Sequence, residues 1–167
     1  MIISLKDLAV APQGRISFEY TIDLSQEEVN FERPFAEPVR VSGELSDDAG
    51  MIRLTACVSA AVHTRCARCN RPLVLDKEVD VDFALVHGQQ DAVERDDIIA
   101  LDSDRVDVDG IVVPELILNM DMAVLCDEDC KGLCPTCGKD LNEGDCGCRK
   151  KAVDPRLEAL KGFMPRQ

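Results

Sequence analysis

Eight of the nine cysteines in this 167-residue chain fall into four close pairs: Cys66/Cys69, Cys126/Cys130, Cys134/Cys137 and Cys146/Cys148. Thiolates paired this closely can converge on one soft cation, and zinc accepts four of them in a tetrahedron. Cys134-Pro-Thr-Cys137-Gly138 has the form of a metal knuckle. Pro135 stiffens the turn, the backbone amides point at the sulfurs, and Gly138 can take a positive φ where the chain leaves. Cys146 and Cys148 follow after a polar stretch at 140–145 that is rich in turn formers. The competing uses of such thiols are disulfides or a redox dithiol.

Two zinc ions and a division of ligands follow from the spacing. Cys134, Cys137, Cys146 and Cys148 are joined by a short loop, whose closure costs little chain entropy. Cys126 and Cys130 then need two more thiolates, and Cys66-Ala-Arg-Cys69 is the one pair left. The expected second site is therefore a long-range one: Cys66, Cys69, Cys126 and Cys130. The rival arrangements are a single site, or a local cluster of Cys126, Cys130, Cys134 and Cys137 with the upstream thiols free. Cys57 has no cysteine neighbour and reads as a small filler, and His63 and His87 read as ordinary surface histidines.

No Gly-rich phosphate loop, Ser-His-Asp order or His-Glu-x-x-His is present. All-thiolate sites are closed and electron-rich, whereas catalytic zinc keeps an open position and commonly has His or carboxylate ligands. The expectation is a protein that is not an enzyme. A dithiol oxidoreductase would need an exposed Cys-x-x-Cys of low pKa, for which Arg65 and Arg68 are weak support.

The formal net charge is −13. That disfavours non-specific binding to a phosphate backbone, an attraction that rests on Lys and Arg, and makes a basic protein partner the easier inference. The acidity is uneven: residues 149–167 carry six basic side chains against Asp154 and Glu158. No apolar run approaches the ~20 residues of a membrane span. The first residues do not have the form of an export signal. Nine cysteines without such a signal point to a reducing, cytoplasmic setting and to metal ligation.

The elements that must carry these thiols are mostly strands. Period-two alternation predicts strands at 2–5, 16–24 and 39–45, with turns at 11–15 and 46–50. The clearest alternation runs over 52–62 and 73–85, and the hairpin tip between those strands holds Cys66 and Cys69. On the second strand Asp76, Glu78, Asp80 and Asp82 share the polar face, as a solvated surface or a docking stripe for a basic partner. A polar loop at 88–97, short strands at 98–101 and 106–109, and a helix at about 111–122 with Asp109 as N-cap and Pro114 in its first turn follow. A short helix capped by Asp154 is expected near 154–162. The predicted fold class is α+β: an antiparallel sheet or partly closed barrel with a packed helix. Residues 1–125 form the core domain, 126–148 the cysteine cluster, and 149–167 a basic helix or tail.

Cys66-Ala-Arg-Cys69, the Asp109-Gly-Ile helix start, and Cys126-x3-Cys130-Lys-Gly-Leu-Cys134-Pro-x-Cys137-Gly-x-x-Leu-Asn142 closing in Cys146-x-Cys148 together resemble the YceD family of large ribosomal RNA subunit accumulation proteins. The resemblance covers most of the chain, from the first strand to Cys148. It implies a cytoplasmic bacterial protein, or an organellar plant relative, needed for accumulation or processing of 23S rRNA, and it implies no enzymatic activity. The partners it implies are a ribosomal protein or a pre-50S particle, with 23S rRNA as a further candidate, and no membrane. The alternative function is a redox-responsive zinc protein that releases metal on thiol oxidation.

Overall fold

The computed structural model describes residues 1–48, 50–87 and 97–148. The basic tail, the helix expected at 154–162 and nearly all of the polar loop expected at 88–97 lie outside them. The elements run β1 (Ile2–Ser4), α1 (Leu5–Val10), a 3-10 turn (Pro12–Gly14), β2 (Arg15–Ile22), β3 (Val39–Asp48), β4 (Met51–Arg65), β5 (Pro72–His87), β6 (Ile98–Leu101), β7 (Arg105–Asp107) and α2 (Asp109–Leu118).

β2 to β6 form one five-stranded sheet in sequence order, and β1 pairs with β7 in a separate two-stranded ribbon. The meander β2-β3-β4-β5 is antiparallel, but β6 lies parallel to β5. The sheet is thus open and mixed, and among the described residues no barrel closes. Alternation in the sequence reports which residues share a face; it carries no information on whether the two edges meet.

The alternation does set the faces. Phe18, Val41, Leu45, Leu54, Val58, Val79, Val81 and Leu85 point to one side and are buried there. Onto them pack Leu8 of α1, Ile3 and Val106 of the ribbon, Phe35, and Val112 and Leu116 of α2, in a single apolar cluster. Each such buried aliphatic contributes about 1.5–3 kcal/mol. At Gly43 the neighbouring β4 backbone leaves no room for a side chain: a Cβ there would lie 2.4 Å from the Thr55 carbonyl oxygen and 2.8 Å from the Ala56 Cα. The opposite face holds Ser17, Ser42, Thr55, Cys57, Ser59, Asp76, Glu78, Asp80 and Asp82, polar or small and largely open to solvent.

β4 and β5 pair without interruption from Ile52↔Leu85 to Arg65↔Pro72, longer than the alternation alone indicated. This long ribbon runs beyond the core and carries the thiol-bearing tip at its far end. The turn between β3 and β4 is also tighter than the expected 46–50, because Asp48 pairs with Met51.

Three other details differ from expectation. Leu5–Val10 is a short helix, capped by the Ser4 side chain, which accepts from the Lys6 amide. Six residues are too few for helical periodicity to register. α2 begins two residues earlier, at Asp109, and ends at Leu118, with Val108 at its N-cap position. Pro114 therefore sits in the second turn and leaves one backbone carbonyl without its helical donor. Asp109 is not the cap; its carboxylate instead accepts from the Tyr20 hydroxyl at 2.6 Å and pairs with the Met1 amino group.

That carboxylate ties the β2 edge, the chain start and α2 together. Burial alone would raise its pKa, but hydrogen bonds from the amino group and from Tyr20 win and hold it below the usual carboxylate range. A depressed folded pKa contributes stability that is present above the unfolded value and lost as pH falls through the folded one. Asp109→Asn is therefore expected to cost about 1 kcal/mol at neutral pH. Urea melts should show that difference constant down to about pH 5 and shrinking below about pH 4, the ordinary Asp range.

Candidate metal centres

The far end of the β4–β5 ribbon is closed by residues 66–71. The Cys66 amide donates to the Arg71 carbonyl at 2.9 Å and the Asn70 amide to the Cys66 carbonyl at 2.9 Å. Asn70 takes a positive φ of 59° to make the turn. The tip thus offers two sulfurs from one rigid loop.

The chain after α2 comes to meet it. The Ala67 amide donates to the Val124 carbonyl at 2.8 Å, which sets the register of the segment just before Cys126. Arg68 then reaches across, donating to the backbone carbonyls of Glu128 at 3.0 Å and Cys130 at 2.9 Å. As a result Cys66 Sγ lies 3.8 Å from Cys130 Sγ, and Cys69 Sγ lies 3.6 Å from Cys126 Sγ. All four sulfurs fall within 4.8 Å of one another. Cys66, Cys69 and Cys130 are buried and Cys126 half-buried.

Cys134, Cys137, Cys146 and Cys148 form a second group that meets the same 4.8 Å limit. The Cys134 amide donates to the Lys139 carbonyl and the Gly138 amide to the Cys134 carbonyl, each at 2.8 Å, so the knuckle turn is made locally. Cys134 is buried, Cys146 and Cys148 are half-buried, and Cys137 is exposed. The eight sulfurs therefore group as the long-range and local division predicted. Cys126 and Cys130 do not share a cluster with Cys134 and Cys137. Neither cluster includes His63, whose Nε2 is buried 3.9 Å from the Glu37 carboxylate without a hydrogen bond. Cys57 stays apart on the outer sheet face, where burial first, then Asp80, pushes its thiol pKa up.

The donor sets fit a soft divalent cation. An ion bonded tetrahedrally to four sulfurs at about 2.3 Å requires sulfur–sulfur edges of about 3.8 Å, and the two cross-segment edges of the first cluster are 3.8 and 3.6 Å. These are far from the sulfur–sulfur bond of about 2.0 Å in a disulfide, and all nine cysteines are free.

The electrostatics point the same way. The amide of Cys69, followed by those of Cys126 and Arg68, pulls the Cys66 thiol down to about 6. The amides of Cys137 and Thr136 pull Cys134 down to about 6 as well. The last proton in each cluster is hard to remove. Cys126 is pushed up to about 12 by its hydrogen bonds with Cys130 and Cys69, and Cys148 to about 12 by those with Cys137 and Cys146. One thiolate per cluster is welcome and four are not, unless a cation compensates them.

The second cluster is not a free appendage. The Leu133 amide donates to the Arg68 carbonyl at 3.1 Å, and the Leu141 amide to the Gly132 carbonyl at 2.9 Å. Gly132 has φ of 71°, and a Cβ on it would sit 2.9 Å from the Arg68 carbonyl oxygen. The link between Cys130 and Cys134 can thus lie against the tip only as glycine. Gly132 does not stand out in the sequence as a site residue, and Arg68 does so only as weak support for a reactive dithiol, since the contacts that both make across segments are not encoded in spacing.

Comparison with known proteins adds the following. The family model described as "Large ribosomal RNA subunit accumulation protein YceD" matches residues 54–164, which takes in both clusters. An uncharacterised Bacillus subtilis protein, YlbN, is 28% identical over 158 residues, covering 92% of this chain and 90% of YlbN. A maize protein named as a chloroplastic YCED homolog 1 for large ribosomal RNA subunit accumulation is 25% identical over 160 residues, covering 76% of this chain and 54% of its own length. The Arabidopsis thaliana protein of the same name is 23% identical over 161 residues, covering 79% of this chain and 48% of its own. The chain thus spans about half the length of these plant relatives. No solved structure matches.

Gly132→Ala tests the contact between tip and second cluster. A non-glycine residue held at positive φ costs about 1–3 kcal/mol, and the Arg68 clash adds to it. Hydrogen exchange at the Leu133 and Leu141 amides is expected to quicken, while the amides paired between β3 and β4 keep their protection.

Proposed function

The chain belongs to the YceD family of large ribosomal RNA subunit accumulation proteins, and from that premise we propose that it is a non-catalytic, zinc-stabilised binding factor in the biogenesis of the large ribosomal subunit. The observation that carries the reading is the family match over a segment that contains both tetrathiol clusters and the ribbon they fasten. In this role it supports accumulation or processing of 23S rRNA by holding a component of the pre-50S particle. Among the described residues no helix is long and apolar enough to cross a membrane.

Zinc is the ion the donors favour: four thiolates, tetrahedral edges, and no oxygen or imidazole ligand in either group. When bound, zinc would supply charge compensation and a fixed crosslink. The ligands would be Cys66, Cys69, Cys126 and Cys130 in the first site and Cys134, Cys137, Cys146 and Cys148 in the second. With four protein sulfurs each, neither site leaves a coordination position for a substrate.

The partner of choice is a basic polypeptide such as a ribosomal protein. Asp76, Glu78, Asp80 and Asp82 stand in file on the outer face of β5, all exposed, with alternate residues about 7 Å apart. Beside the last two runs a shallow trough of about 410 Å³ floored by Ser42, Thr55 and Cys57, side chains small enough to let a partner strand or lysine stem come close. Asp82 is already engaged by Arg53 in a two-pronged contact at 2.6 Å, so the open part of the file is Asp76 to Asp80.

A second reading has one observation in its favour. Cys137 is exposed, so oxidation reaches the second cluster first, and the protein would respond to peroxide by losing that metal.

Three measurements test these readings. Depletion of the protein is expected to lower 23S rRNA and mature large subunits relative to small ones; unchanged profiles would count against the biogenesis role. Native mass spectrometry should find two zinc ions in the wild type and one in Cys66→Ser/Cys69→Ser, and a full count in the variant would sink the ligand division. Reversing Asp76, Glu78 and Asp80 to lysine should abolish salt-sensitive recovery of a basic partner while leaving the zinc count at two.

A further inference from the structure

Asn142 lies between the two cysteine pairs of the second cluster, yet its side chain is turned toward the first. Its Oδ1 accepts from the Lys131 amide at 2.8 Å. Its Nδ2 donates to the Asp140 carboxylate at 2.7 Å and to Cys130 Sγ at 3.4 Å. The orientation of the amide is over-determined: a backbone N–H must face the oxygen, and a carboxylate must face the nitrogen. The group aimed at the sulfur is therefore the N–H donor. Asp140 is held in turn, its carboxylate largely buried and 3.6 Å from Arg71 at the hairpin tip. A polar relay thus runs from Arg71 through Asp140 and Asn142 to the sulfur of Cys130, from tip to second loop and back to the first cluster.

We propose that Asn142 is a positioning residue that couples the two metal centres, so that closing the local cluster strengthens ion binding at the long-range one. The inference rests on the reading that both clusters hold metal. A donor to a ligating sulfur spreads its negative charge and fixes its direction, and such outer partners are commonly worth 10–100-fold in affinity. Asn142 can supply that donor only while the loop at 138–145 is closed, and Cys134, Cys137, Cys146 and Cys148 close it. The influence thus passes from the exposed centre to the buried one through the Asn142 side chain.

The probe is zinc alone, titrated into the full chain against a chromophoric chelator. Alkylation of freed cysteines, mapped by mass spectrometry, identifies which cluster has emptied. Asn142→Leu is expected to weaken the first cluster about 10–100-fold. In a Cys66→Ser/Cys69→Ser background, which keeps only the second cluster, the same change should alter zinc affinity less than about threefold, well below that range. Breaking the second cluster with Cys146→Ser/Cys148→Ser should weaken the first by a similar factor. Combining that break with Asn142→Leu should add nothing further, because the two changes remove one interaction. Asn142→Asp, which keeps the shape but replaces the donor with a carboxylate, should weaken the first cluster at least as much as Leu. The inference is overturned if Asn142→Leu leaves the first cluster's affinity intact, or if its effect and that of the double serine variant add in full. A wild-type chain that takes up no zinc overturns both this coupling and the metal reading beneath it, whereas two tightly held ions that ignore Asn142 overturn the coupling alone.

Discussion

The meeting of the hairpin tip with the segment after α2 is the constraint on which the rest of this molecule depends. Cys69 and Cys126 are separated by 57 positions and Cys66 and Cys130 by 64, yet their sulfurs lie 3.6 and 3.8 Å apart. Closing a disordered loop of that length costs about 3–4 kcal/mol in chain entropy. Little of this falls on the thiol cluster itself. β5, β6, β7 and α2, already ordered by the apolar core, set much of the path between the two thiol pairs, and the connection from Leu118 to Cys126 completes the approach. The core brings the thiols within reach, and the cluster then stiffens the part of the β4–β5 ribbon that the core does not cover.

From this follows a hierarchy of stability. The first cluster is knitted into the sheet by the Ala67–Val124 and Arg68–Cys130 backbone contacts, so opening it would unseat the end of the ribbon. The second is built within a single local segment and is joined to the tip and first cluster through residues 132–133 and 140–142. Its loss would release that segment without exposing Val58, Val81 or any other buried core residue. A protein assembled this way opens in units, with the more exposed unit at the lower free energy.

Most of this plan was legible in the residues themselves. Alternation at 52–62 and 73–85 placed the two central strands and their faces, because one face is buried and the pleat leaves no freedom in which side chains reach it. Cysteine spacing, followed by elimination, separated the eight thiols into the two groups that the geometry brings together. The failures have equally definite causes. Helix α1 is a turn and a half, below the length at which a helical period can be told from chance. Asp109 has the chemistry of an N-cap but is drawn instead to Tyr20 and the Met1 amino group, partners 89 and 108 positions away. The parallel pairing of β6 with β5 depends on the path of the intervening chain, which a local pattern does not contain. Asn142 was visible as a letter beside the knuckle; its aim at Cys130 is a matter of three-dimensional proximity.

The distribution of charge then bears on how such a protein can meet a ribosomal particle. With a net charge of −13 it is repelled on approach to bare RNA, since that encounter depends on cations displacing condensed counterions. Large-subunit particles under assembly also present basic polypeptide, and to that surface the same charge is attractive and steers association. The geometry keeps the two properties apart. The acidic file stands exposed on the outer sheet face formed by the antiparallel meander, while the thiol clusters gather at one end of the ribbon, with Arg65, Arg68 and Arg71 at the tip. In the proposed role the acidic face would grip a basic chain, while the arginines at the tip are turned inward to Asn70, Glu128, Cys130 and Asp140. The thiol clusters bear on that arrangement because an ion closing them would fix the direction in which the end points relative to the face.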